Sequence, residues 1–323
     1  MESVHSCIEN TGTMKFTPPS HHLQKTRVEF RAMACDNVLE LFADSVTLAD
    51  EAARAAVQEV KRIEAKYSRY LQDSVVSRIN RAAGRAPVDI DEETSHLLAF
   101  ADAGFQQSGG LFDITSGILR RAWNFKAARP PSHEEIAPLL PLIGWRRVLR
   151  TPSQVSLPLA GMELDFGGFG KEYAADRAAA VLLSHGLHHA FVNLGGDVVV
   201  TGPQANGESW QLGICHPREP QAIIASLPIA SGAIATSGDY ERFLEHEGRR
   251  HSHILDPRTG ESVAGPRSVS VLASTCLVAG SISTIAMLKG NDAQAWLDQS
   301  GCDYLAVDAA GKIFCSRKFD SIT

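Results

Sequence analysis

No pair of cysteines in this chain has the spacing of a zinc ribbon or a redox turn. Cys7, Cys35, Cys215, Cys276, Cys302 and Cys315 are scattered, with no CxxC and no Cys/His metal pattern. They read as free thiols of a reducing compartment. A run of 18 apolar residues is also missing, so no membrane-spanning helix is expected. Nor is there an excess of bases: 31 Lys and Arg face 37 Asp and Glu, for a net charge of -6. That balance excludes a general phosphate-backbone binder and, with it, nucleic acid as a partner. The first residues lack the apolar stretch of a signal peptide, which makes the cytoplasm the expected location. Their polar composition predicts a loose arm over residues 1–25, followed by a domain over residues 26–323 with no repeat or low-complexity break. Oligomeric state is not legible.

The hydrophobic pattern alternates between strand and helix periods. Val28–Phe42 reads as two strands broken near Ala34–Asn37. Leu48–Tyr67 has apolar positions at helical spacing, and Asp73 and Asp91 are expected to cap two further helices. Ser132 and Glu135 have capping-box spacing. Trp145–Leu149, Gln154–Leu157 and Met162–Phe166 predict a small meander, and an Ala-rich helix follows Gly170 and stops at Gly186. Ala190–Asn193 with Val198–Thr201, Trp210–Ile214 with Ile223–Leu227, Ala233–Thr236 and Ser268–Ala273 complete a strand-rich half. A helix from Val278 to Leu288 is expected to carry its hydroxyls in the first turn. Helix Asn291–Gln299 and the hairpin Tyr304–Val307 with Lys312–Cys315 end the chain. The fold class is α+β, with antiparallel sheets flanked by helices.

Four polar clusters share one grammar of strand end, small residues and an acid or hydroxyl: Phe112–Thr115, Asp165–Lys171, Ser237–Gly260 and Ser281–Thr284. The Gly-rich turn before Lys171 suits an anion, because glycine lets backbone N–H groups approach it at a helix start. Lys171 itself opposes the helix dipole there, which calls for a nearby anion. His253, before the Asp256–Pro257 turn, is offered at the end of a strand, whereas His246 and His251 read as solvent-facing. Taken together the clusters suggest one cleft for a phosphorylated ligand.

At this level the chain resembles the ApbE family of FAD:protein FMN transferases. The blocks that carry the resemblance are Met33 in an N-terminal turn, Tyr67–Asn80, GGLFDITSGIL, LDFGGFGKEYAAD, FVNLGGD, TSGDYERF, HSHILDPRTG and VAGSISTIAMLKG. The resemblance implies a mixed α and β fold that binds FAD as substrate. It further implies a divalent metal, usually Mg2+, and transfer of FMN to a Thr or Ser hydroxyl of an acceptor flavoprotein with release of AMP. Carried over by position, Met33, Tyr70, Leu111, Phe112, Asp113, Asp165, Lys171 and Leu255 would line the FAD site. Gly168 would ligate metal through its carbonyl and Thr284 through its hydroxyl, with Ser283 beside it. His253 would be the general base, a role that neutral imidazole suits.

One departure bears on the metal. Where the family has an Ala-Asp-Ala motif supplying a carboxylate, this chain has Ala279, Gly280 and Ser281. Asp197 and Asp239 lie in family-like turns and are the candidate substitutes; without one, the Mg2+ site is expected to be weakened. A non-catalytic FAD-binding or flavin-delivery protein, and an FAD pyrophosphatase giving FMN and AMP, are the alternatives. Met33–Ala34–Cys35 also departs from the family's Met-Gly-Thr.

Overall fold

The computed structural model describes residues 23–219 and 221–320. The N-terminal half contains β1 (Gln24–Ala32), β2 (Cys35–Ala43), α1 (Val46–Tyr67), α2 (Val75–Arg81), β3 (Val88–Asp89), α3 (Glu92–Gln107) and α4 (His133–Ile136). Then come β4 (Leu149–Arg150), β5 (Gln154–Ser156), α5 (Gly170–Ser184), β6 (Ala190–Leu194), β7 (Asp197–Val200), β8 (Trp210–Cys215) and β9 (Ile223–Ile229). The C-terminal part has β10 (Gly232–Gly238), β11 (Phe243–His246), β12 (Arg249–Ser252), β13 (Ser268–Ala273), α6 (Cys276–Lys289), α7 (Ala293–Ser300), β14 (Asp303–Val307), β15 (Ile313–Cys315) and α8 (Arg317–Asp320). The predicted arm falls almost wholly outside the described residues; Gln24 and Lys25 already belong to β1, where Lys25 pairs with Glu40 at 2.6 Å.

The main sheet has eight strands in the order β1-β2-β6-β7-β10-β13-β14-β15, every neighbouring pair antiparallel. One face is covered by α1, α5 and α6. α1 buries Ala49, Ala52, Ala53, Ala56 and Val60, and α5 buries Ala174, Ala175, Ala178 and Ala179. Small side chains on both helices let their axes approach closely. The opposite face is covered by the β8–β9 hairpin, which buries Trp210, Leu212, Ile214 and Leu227 against Val198, Val200, Ile234 and Leu305. The expected mixed fold with antiparallel sheets is therefore present.

Several local expectations are corrected. Ser74, not Asp73, caps α2 through its side chain, which accepts from Ser77 N–H. The capping box at Ser132 and Glu135 forms, but α4 stops at Ile136 instead of running to Leu140. Trp145–Arg147 is a 3-10 turn, and the small sheet is β3-β5-β4, its third strand coming from Val88–Asp89. Met162–Phe166 buries Met162, Leu164 and Phe166, but Glu163 between them is buried too, paired with Arg120 and Arg121. Its backbone, however, bonds to a side chain: Leu164 N–H donates to Asn80 Oδ1 at 2.7 Å and Asn80 Nδ2 donates to Leu164 O at 3.0 Å. A period of two in apolar residues thus does not by itself imply a ladder partner. Finally, α6 starts at Cys276 with Thr275 as its cap, so Ser281, Ser283 and Thr284 sit in the helix interior.

Candidate functional site

The loop that opens with Leu111 is an internally bonded wall. Asp113 Oδ1 accepts from Thr115 N–H at 2.8 Å and from Thr115 Oγ1 at 2.6 Å, and Asp113 Oδ2 accepts from Trp145 N–H at 3.0 Å. Both oxygens are spent on shaping the loop, as in an Asx turn. Leu111 and Phe112 are buried, and the Phe112 ring packs on Phe169 and beneath Gly168. Asp165 lies against the same loop: its N–H donates to Ile114 O at 2.9 Å, and a Cβ on Gly117 would fall 2.3 Å from Asp165 Cβ. The Asp165 carboxylate pairs with Arg69 and accepts from Gly167 N–H at 2.9 Å. Arg69 in turn donates to Tyr70 OH at 2.8 Å, leaving that ring 73% exposed at the rim.

The start of α5 forms the next wall. Its entry residue Phe169 provides no side-chain cap. Lys171 finds its anion within the protein: Nζ lies 2.9 Å from Asp197 Oδ2 and donates to Gly195 O at 3.3 Å. Burial works against the ammonium, but the Asp197 charge prevails and raises its proton affinity. The β1–β2 turn comes in beside this group, with Cys35 packed so closely on Gly195 that a Cβ there would meet Sγ at 2.8 Å. In that turn Met33 N–H donates to Glu64 Oε1 at 2.8 Å.

Facing α5 is the hydroxyl-bearing stretch of α6. Ser283 and Thr284 share Ser237 of β10, at 2.8 Å and 3.1 Å between hydroxyl oxygens. Ser283 also donates to Gly280 O at 2.9 Å. Glu172, which the sequence reading missed, lies directly on Gly280: a Cβ at 280 would be 2.5 Å from Glu172 Cγ. This glutamate is buried and its Oε2 has no hydrogen-bond partner. Nothing in the sequence singled it out, because an acid in the first turn of a helix is ordinary.

The oxygen donors here suit a hard cation such as Mg2+, which takes few ligands from protein and completes its shell with water and phosphate. Among the described residues no group of three or more His, Cys, Asp or Glu is placed to hold a metal. A cation at this point would depend on hydroxyl, carbonyl and substrate oxygens with little acidic support. Of the two substitutes expected for the missing carboxylate, Asp197 is taken by Lys171. Asp239 is held by both nitrogens of Arg218, at 2.6 Å and 2.7 Å.

His253 follows β12, its N–H donating to Arg242 O at 2.9 Å. Its Nδ1 is buried without a partner. Burial, and then the Arg242 cation, push the imidazole below its ordinary proton affinity. The Asp256–Gly260 turn closes on itself, with Gly260 N–H donating to Asp256 O at 2.7 Å and Trp123 Nε1 donating to Gly260 O at 2.7 Å. Leu255 packs with Leu119, Trp123, Ile136 and Leu244 in a separate small core.

A family model, the ApbE family, matches residues 26–306. The chain belongs to the ApbE family. Curated relatives bear the name FAD:protein FMN transferase. One from Klebsiella pneumoniae is 34% identical over 241 residues, 73% of this chain and 74% of the relative. One from Treponema pallidum is 32% identical over 270 residues, again 73% and 74%. Among solved structures, the ApbE protein of Thermotoga maritima superposes with a TM-score of 0.85 at 33% identity, covering 92% of this chain and 99% of that one. The flavin transferase ApbE of Vibrio cholerae gives 0.80 at 25%, covering 93% and 100%.

Contacts join the ApbE-like positions into local groups. Phe112 meets Gly168, and Asp165 meets Gly167 and Arg69, which donates to Tyr70. Lys171 meets Gly195 and Asp197, and Ser283 and Thr284 meet Ser237. Leu255 instead has its packing partners in the small core.

Proposed function

We propose that this chain transfers FMN from FAD to an acceptor flavoprotein. The reading is carried by membership of the ApbE family over residues 26–306, with relatives of that activity matched along about three quarters of their length. FAD is the substrate. The acceptor's Thr or Ser oxygen attacks the phosphorus of the FMN half, the bridging P–O bond breaks, and AMP leaves. His253 takes the hydroxyl proton, its lowered proton affinity keeping the ring neutral near pH 7. Lys171 contributes positive charge at the start of α5, where helix N–H groups favour a phosphate. Met33, Tyr70, Leu111, Phe112, Asp113, Asp165 and Leu255 are assigned to the flavin and adenine walls. Mg2+ would be held by the Gly168 carbonyl and the Ser283 and Thr284 hydroxyls, and when bound it neutralises the charge that develops on the pyrophosphate.

The test uses purified protein, FAD, Mg2+ and an acceptor flavoprotein with a surface Thr or Ser site. The expected result is flavin fluorescence on the denatured acceptor and AMP in equal amount, both missing without acceptor. AMP and FMN released without acceptor would replace this reading by a pyrophosphatase. FAD binding with no AMP under any condition would leave only a flavin carrier.

A further inference from the structure

The space beside Gly280 is filled from another helix. A Cβ built on Gly280 would lie 2.5 Å from Glu172 Cγ, 2.8 Å from Oε1 and 3.0 Å from the carboxylate carbon. The 2.5 and 2.8 Å approaches are closer than real Cβ atoms come, so a side chain at 280 would displace the Glu172 side chain from its place, and the two compete for one volume. The family motif puts a carboxylate on α6 at this position; here a carboxylate arrives from α5 instead. It rests on the α6 face that carries Thr284 one turn later, since residues four apart on a helix lie one above the other. Glu172 lies in the first turn of α5, which starts at Gly170, just after the Gly167–Gly168 turn.

The state of this carboxylate is unusual. Glu172 is 9% exposed and its Oε2 has no partner. Burying a charged carboxylate with an unpartnered oxygen costs several kcal/mol, which either a proton or an adjoining cation relieves. The carboxylates around it already have partners. Asp197 holds Lys171 at 2.9 Å. Asp176 accepts from the N–H groups of Cys276 and Leu277 at 2.7 Å and 2.9 Å. Lys171, the adjoining cation, is turned to Asp197. Glu172 is thus the carboxylate at this helix pair that has an oxygen to give. Burial and the neighbouring Asp197 charge both favour its protonated form, which a divalent cation would reverse.

We propose that the Glu172 carboxylate, reaching from α5 across Gly280, is the acidic ligand of the divalent cation that Gly168, Ser283 and Thr284 also hold. The assignment rests on the transferase reading for the presence of a metal and goes beyond it in naming a ligand from a different helix. Exchange of a carboxylate between facing helices keeps the charge of the metal shell while moving its covalent origin. The ligand set remains all oxygen, which fits Mg2+ or Mn2+ and disfavours softer metals.

Mn2+ titration of the FAD-loaded protein, followed by loss of the free Mn2+ EPR signal, tests this apart from catalysis. Glu172→Gln keeps the shape and is expected to weaken Mn2+ binding by about tenfold or more, with FAD affinity in EDTA serving as the check on folding. The exchange variant Glu172→Gly/Gly280→Asp restores the family arrangement and should recover most of the Mn2+ affinity. Unchanged Mn2+ binding in Glu172→Gln, or no Mn2+ uptake by the wild-type FAD complex, overturns the assignment. Loss of Mn2+ binding in Glu172→Gln from a wild-type protein that transfers no flavin upholds the ligand and rejects the transferase.

Discussion

At the scale of single residues, the environment of His253 makes a pH prediction. Its conjugate acid is disfavoured by burial and by Arg242, so the neutral ring persists to lower pH than a free histidine would allow. A rate that needs neutral imidazole should stay level as pH falls past 6.5, the ordinary histidine value, and decline only below it. Rate against pH at saturating FAD and acceptor checks this; a decline centred above 6.5 would contradict it. His253→Gln should lower kcat by roughly 10²–10⁴-fold, the usual range for a lost general base, while FAD binding holds. The residue types at this scale were legible, but their partners were not. Lys171 was expected to need an anion and has one, yet the anion belongs to a hairpin turn 26 positions later in the chain. Asp113 has both oxygens committed to its own loop and Trp145, which no local pattern announces.

Among the elements, the β1–β2 hairpin stores strain in a readable form. Met33 and Ala34 both have positive φ, 56° and 61°, in a two-residue turn closed by the Ala32–Cys35 pair. This is the type I′ geometry that matches strand twist and ordinarily selects Asn and Gly. A non-glycine residue held there costs about 1–3 kcal/mol. Ala34→Gly should therefore raise stability by about 1 kcal/mol in denaturant unfolding, and unchanged stability would show that the turn is not strained. The caps at Asp91 and Ser132 were legible because capping is local chemistry, whereas α2 takes Ser74 in place of its neighbour Asp73. The error at Met162–Phe166 arose because alternation of apolar residues does not show what the backbone bonds to; here it was Asn80, more than 80 residues earlier. The error at α6 was one of boundary. Thr275 caps the helix, and the small residues after Cys276 pack against α5 and the sheet without an amphipathic period to mark them.

Over the whole molecule, the eight-stranded sheet separates two cores with different duties. On one face pack α1, α5 and α6, the last two carrying site residues; on the other, β8 and β9 serve as a cover. Trp210 anchors that cover, stacking on Phe191 at 5.4 Å between ring centres and donating from Nε1 to Gly202 O at 2.9 Å. Trp210→Ala should cost about 3–5 kcal/mol. Hydrogen exchange should quicken first in β8 and β9 while α5 and α6 keep their protection. Equal loosening of both faces would mean that the cover also supports the site.

The sequence by itself determined most strands of the main sheet, the long helices and the polar blocks that mark the family, because each depends on neighbours a few positions away. It also showed that the family's acid is missing at Gly280. Only the tertiary structure decided what stands in that gap. Glu172 and Gly280 meet because close packing brings α5 against α6, and no periodicity within either helix encodes which side chain of one fills the space left by the other.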